Sequence, residues 1–143
     1  ETLAERRGDR IEVRIPREIG FLHTDMLKLR QVLFNLIGNA IKFTEQGTIR
    51  VGVRRWTADE RELVEITVAD SGIGIPGVDL ERIFERFYRV DRSRGRDTGG
   101  TGLGLAIVRH VTQNHGGSVE VTSTEGVGTT FTVRLPAVRA ERP

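Results

Sequence analysis

The 143-residue chain is predicted to fold as an α/β domain, a mixed and mostly antiparallel sheet with helices packed on one face. Three observations predict this. Met26, Leu29, Leu33, Leu36 and Ala40 recur at intervals of three and four, the stripe of an amphipathic helix over Thr24 to Phe43. Segments that alternate or are rich in β-branched residues run over Arg10 to Ile15, Thr48 to Arg55, Glu62 to Ala69, Ser118 to Ser123 and Thr129 to Leu135. A second helical stripe, Leu105, Val108 and Val111 or Thr112, separates two adjacent hairpins. The order α, ββ, α, ββ disfavours the repeated βαβ units of a dinucleotide-binding domain.

The elements have local causes. Asp25 is placed to cap the first helix. The first hairpin turns within Thr57 to Arg61, and Trp56 beside it reads as a packing or edge residue. A short helix is expected near Asp79 to Phe87. The last helix runs from Gly102 to Asn114 and ends at Gly116-Gly117, as a C-terminal cap would. The second hairpin turns at Glu125-Gly126.

Composition narrows the function. The chain has no cysteine, which fits one core-bearing domain in a reducing compartment. Charged residues make up 29% and no apolar run approaches the roughly 20 residues that span a bilayer, so a soluble piece without a signal peptide is expected. A net charge of +2 without basic-aromatic interleaving argues against nucleic-acid binding.

Four blocks carry chemistry. In Asp70-Ser71-Gly72-Ile73-Gly74-Ile75-Pro76 a carboxylate ends a strand and two glycines follow at alternate positions. A carboxylate there can accept from an amine, and glycines let the backbone turn and come close to a flat ring. Adenine meets those demands. The same residues are also ordinary turn chemistry, and with Gly77 they match a dinucleotide-type spacing.

The first helix carries Lys28, Asn35, Asn39 and Lys42 along a face turned from its apolar stripe. A solvated face would account for them. Amide oxygens are also hard ligands suited to magnesium bridging phosphates, and Lys42 supplies a point charge. The third block, Ile83 to Asp91, anchors Phe84 and Phe87 before the charged, glycine-rich segment Asp91 to Gly100, read as a lid or open loop. In the fourth, Gly100-Thr101-Gly102-Leu103-Gly104 opens into a helix, a cradle for anions. It lacks the lysine of a P-loop, because the only lysines are Lys28 and Lys42.

Taken in order, these blocks resemble the catalytic, ATP-binding domain of sensor histidine kinases, in the wider superfamily of gyrase, heat-shock-ninety, histidine kinase and MutL ATPases. Asn35-x3-Asn39-x2-Lys42-Phe43 is similar to the N box, Asp70-x-Gly72-x-Gly74 to the first glycine box, Phe84-x2-Phe87 to the F box and Gly100-x-Gly102-x-Gly104 to the second glycine box. The resemblance implies a Bergerat-type two-layer sandwich holding ATP between the N-box helix and the lid. It implies residues 1–9 as the end of a dimerisation helix and linker, 10–137 as the catalytic domain and 138–143 as a tail.

Roles carry over by position. The resemblance implies that Asp70 accepts from the adenine amine with Gly74 close to the ring, that Gly72 and Ile75 also belong to the nucleotide site, and that Thr129 is a weaker candidate for support through a water. Phe43 would lie beside the nucleotide. Asn35 and Asn39 would hold magnesium, Lys42 and Arg89 would contact the phosphates, and Gly100, Thr101, Gly102, Leu103 and Gly104 would wrap the phosphate tail. Asn35, Lys42 and Arg89 are thus the catalytic candidates. Gyrase and MutL relatives carry a glutamate where Asn35 stands, and an amide cannot act as general base.

The expected activity is transfer of the γ-phosphoryl group to a histidine on a separate dimerisation domain, for relay to a response regulator. No His-Glu or His-Asp acceptor box is present, and His23, His110 and His115 are poor substitutes. A cytoplasmic location is implied for this domain, with the intact protein's membrane anchoring left open. The alternatives are an anti-sigma-type serine kinase and a docking module without catalysis.

Overall fold

A computed structural model describes residues 8–16, 26–88 and 104–136. Five strands, β1 (Arg10–Arg14), β2 (Thr48–Ala58), β3 (Arg61–Asp70), β4 (Ser118–Thr124) and β5 (Gly128–Pro136), form one sheet in the order β1-β2-β3-β5-β4. β1 runs parallel to β2 and every other pair is antiparallel. Helices α1 (Met26–Phe43) and α2 (Gly104–Asn114) supply the second layer. This is the mixed sheet with helices expected from the sequence.

Alternation along the strands decides which face meets the helices. Val64, Ile66 and Val68 of β3 lie opposite Leu135, Val133 and Phe131 of β5, and all six are buried. Val32, Leu36 and Ala40 of α1, four apart, close over them with Val108 and Val111 of α2. Leu29 and Leu33, predicted in the same stripe, flank this ridge and are only partly buried. Val32 takes their central place.

The opposite face is polar. Its centre is Glu65, which accepts from Arg54 Nε at 2.7 Å and from Arg134 Nε at 3.0 Å, while Arg134 reaches on to Glu120 at 2.8 Å. Four strands are thereby laced together, Arg54, Glu65 and Arg134 in one row and Glu120 diagonal to it.

Two elements differ from expectation. The first hairpin pairs through Ala58 and Arg61, so its turn is only Asp59-Glu60, both with positive φ (50° and 64°). That is the backbone of a tight two-residue turn, reached without the Asn-Gly pair that signals it in a sequence. The short helix expected near Asp79 to Phe87 is a 3-10 turn, Gly77–Asp79, followed by further turns. Its bonds run to the third residue back, from Asp79 to Pro76, Leu80 to Gly77, Arg82 to Asp79, Glu85 to Arg82 and Tyr88 to Glu85. The tighter winding still buries Ile83 and Phe84, and Phe84 meets Phe131 edge-on with ring centroids 6.2 Å apart.

The end of α2 follows the sequence closely. Gly116 takes φ +73°, and the N–H groups of Gly117 and Gly116 donate to the carbonyls of Thr112 and Gln113 at 2.8 and 3.0 Å. Those two bonds define a Schellman cap. His115 Nδ1 adds a bond to the Val111 carbonyl at 2.8 Å, which gives this histidine a structural task.

Candidate functional site

The site lies at the end of the sheet where β3 stops at Asp70. In register, Ile49, Asp70, Thr129 and Ser123 form a row across β2, β3, β5 and β4 on the helix-facing side. Asp70 Oδ1 accepts from the backbone N–H of Gly72 at 2.9 Å. Burial pushes the Asp70 carboxyl above its ordinary range, opposed by the backbone N–H groups of Gly72 and Thr129 and by the Thr44 hydroxyl, while the charge of Asp9 adds a smaller upward push. A carboxylate so held keeps lone pairs for a donor.

The segment after Asp70 is wedged between two parts of the chain's own backbone. A Cβ on Gly72 would stand 2.1 Å from the Phe43 carbonyl oxygen, and the Ile73 N–H donates to that same oxygen at 3.1 Å. Gly74 has φ +76°, and its Cβ would stand 2.3 Å from the Thr124 carbonyl oxygen. Gly126 N–H donates to the Ile73 carbonyl at 2.7 Å, and a Cβ on Gly128 would stand 2.1 Å from the Asp70 oxygen. Gly72 and Gly74 therefore have a reason to be glycine within the fold itself, separate from any ring beside them. Contact with Phe43 and Thr124 already requires both of them to lack a side chain.

Further polar groups fix the segment. Ser71 Oγ accepts from Thr48 N–H at 2.9 Å, and Asp9 Oδ1 accepts from Gly47 N–H at 3.1 Å. Ile75 N–H donates to Ser123 Oγ at 2.7 Å. Thr44 and Ser123 were not singled out from the sequence. Ser123 had a legible signal, because Val119 and Val121 fix the inward positions of β4 and a serine at the next one is a polar group facing the core layer.

The second end of the site is built by the helices. Asn35 and Asn39, one turn apart on α1, are both partly buried, as is Lys42 in its last turn. Gly104 opens α2, and a Cβ there would stand 3.1 Å from Asn35 Oδ1. The first amide thus faces the start of a helix, where backbone N–H groups favour anions. Phe43 is 37% exposed beside Gly72. Arg89, Gly100, Thr101, Gly102 and Leu103 lie outside the described residues.

Among the described residues no group of three or more His, Cys, Asp or Glu side chains could hold a metal ion. The amide oxygens of Asn35 and Asn39 are donors of the kind that magnesium takes alongside phosphates and water. No helix among the described residues is long and apolar enough to cross a membrane.

The five-stranded mixed sheet with two helices matches solved structures of histidine kinase catalytic domains. The crystal structure of full-length ShkA in complex with AMPPNP matches with a TM-score of 0.80 and 34% identity, over 97% of this chain and 28% of that one. The nucleotide-free catalytic domain of ThkA matches with a TM-score of 0.77 and 29% identity, over 94% of this chain and 82% of that one. The family described as histidine kinase-, DNA gyrase B-, and HSP90-like ATPase matches residues 24–139, and the chain belongs to it.

Among curated relatives, the sensor histidine kinase WalK of Bacillus subtilis is 48% identical over 119 residues, covering 81% of this chain and 19% of that protein. The sensor-like histidine kinase SenX3 of Mycobacterium tuberculosis is 49% identical over 115 residues, covering 80% and 27%. The chain spans under a third of the length of these relatives. Their identity as histidine kinases does not favour the serine-kinase or docking alternatives.

Proposed function

We propose that residues 10–137 bind magnesium ATP and deliver its γ-phosphoryl group to a histidine on a separate dimerisation domain, from which a response regulator receives it. The observation that carries this reading is the Asp70 carboxylate, half-buried at a strand end and braced by the Gly72 N–H, with a second acceptor-bearing side chain, the buried Thr129, next to it in the same row. That arrangement suits the exocyclic amine of adenine.

Asn35 and Asn39 would hold magnesium through their amide oxygens, and the ion would neutralise charge on the phosphates. Lys42 and Arg89 would add point and forked positive charge at the same end. Gly100, Thr101, Gly102, Leu103 and Gly104 would cradle the phosphate tail, and Phe43 would pack beside the nucleotide. The histidine's ring nitrogen then attacks the γ-phosphorus as the bond to ADP breaks, so positioning and charge neutralisation supply the catalysis. An amide at Asn35 has no basicity with which to activate water.

A cytoplasmic place follows from this role, since the acceptor and the regulator must meet ATP. The test is incubation with γ-labelled ATP and magnesium, with and without a helical histidine hairpin supplied in trans. Label appearing on the hairpin, with little free phosphate released in its absence, supports the reading. Rapid hydrolysis without a hairpin points to the gyrase branch.

A further inference from the structure

We propose that Ser123 is a positioning residue that sets the hydrogen-bond polarity of the base socket, making it select a 6-amino over a 6-oxo purine. The inference rests on the nucleotide-binding reading above. Ser123 Oγ has three neighbours, the Ile75 N–H at 2.7 Å, the Gly128 carbonyl oxygen at 2.9 Å and Thr129 Oγ1 at 2.9 Å. A serine hydroxyl has one proton to give and two lone pairs. Gly128 offers only an oxygen, so it takes the proton. Ile75 offers only a proton, so it occupies one lone pair.

Thr129 must then donate to the remaining lone pair of Ser123. With its proton committed, Thr129 Oγ1 is left with acceptor capacity alone. Thr129 is the register partner of both Ser123 on β4 and Asp70 on β3, and it is buried. Asp70 is an acceptor as well when ionised. Two adjacent groups therefore present acceptors, which an amine satisfies and a carbonyl oxygen opposes. Ser123 acts from outside that pair, by holding the Thr129 proton away from the base.

Ser123→Ala removes the acceptor and frees the Thr129 proton to turn toward the ligand. A purely structural role for Ser123 would weaken all nucleotides alike. The polarity role changes the ratio between ATP and inosine triphosphate, which differ only at the base edge.

The experiment is calorimetric titration of the whole chain with ATP and with inosine triphosphate, in magnesium, for wild type, Ser123→Ala, Ser123→Thr and Thr129→Val. Wild type is expected to favour ATP by at least about a hundredfold. Ser123→Ala should narrow that preference at least about tenfold, and Ser123→Thr, which keeps the hydroxyl, should restore it. Thr129→Val should narrow it too, and decides the matter if Ser123→Ala does not fold. An unchanged ratio in a folded Ser123→Ala or Thr129→Val variant, with wild type still binding ATP, overturns this inference and leaves the proposed function standing. Wild type binding neither nucleotide overturns both.

Discussion

The carboxylate of Asp70 is held by the backbone N–H of Gly72, two residues further along, at 2.9 Å. One oxygen is thereby oriented by the same segment that a side chain on Gly72 would displace, since its Cβ would meet the Phe43 carbonyl at 2.1 Å. The Asp70 end of the candidate site is thus preorganised by backbone packing. Helix α1, the strand end and the β4–β5 turn all meet there.

Asp70→Asn should leave the fold as stable as wild type or slightly more so. Burial raises the Asp70 carboxyl, so the charged form at neutral pH costs stability, and that group's favourable contribution is present only below the ordinary carboxylate range and is lost as pH rises through the raised value. Thermal unfolding at neutral pH should show a Tm lowered by no more than about 3 °C, or raised. A larger drop would mean that the charge is compensated in the fold.

Gly72→Ala should destabilise by about 3 kcal/mol, because the new methyl meets backbone that cannot move aside cheaply. Gly77→Ala is the contrast, with nothing within 4 Å of its Cβ position, and should change stability by less than about 1 kcal/mol. Urea unfolding of both variants measures the difference.

Glu65→Gln should cost about 1–3 kcal/mol, since Glu65 is buried and accepts from two arginines. The bond from Arg54 is the main cause of a Glu65 carboxyl held below its ordinary range, with Arg134 assisting against the cost of burial. Its stabilisation is present above the ordinary carboxylate range and is lost as pH falls through the lowered value. The stability gap between wild type and variant should therefore close on acidification. Nucleotide affinity should not change, because Glu65 faces away from the helices.

Asn35→Ala should weaken the magnesium-dependent part of nucleotide binding by about tenfold while sparing binding without the ion. Titrations with magnesium and with a chelator separate the two. Equal losses in both would assign Asn35 to packing against Gly104 instead.

Much of this was legible in the sequence because strand and helix periods differ. The alternation through Leu63 to Ala69 placed Asp70 at a strand end, and the Gly116-Gly117 pair marked the end of α2. The place of the first turn, within Thr57 to Arg61, was legible, but its two-residue form at Asp59-Glu60 was not, since no glycine or asparagine advertises the positive φ. The 3-10 winding after Pro76 shares its residues with a short α-helix, and only the bonds to the third residue back distinguish them. The reason for Gly72 and Gly74 was also hidden, because it depends on Phe43 and Thr124, which tertiary packing brings from distant places in the chain.

The most direct test of the account is calorimetric titration of the folded chain with a non-hydrolysable ATP analogue in magnesium, beside Asp70→Asn. The account predicts binding by wild type and at least about a hundredfold weaker binding by the variant, because the acceptor for the adenine amine is replaced by a group that must also present a donor. A folded Asp70→Asn variant with wild-type affinity would contradict it.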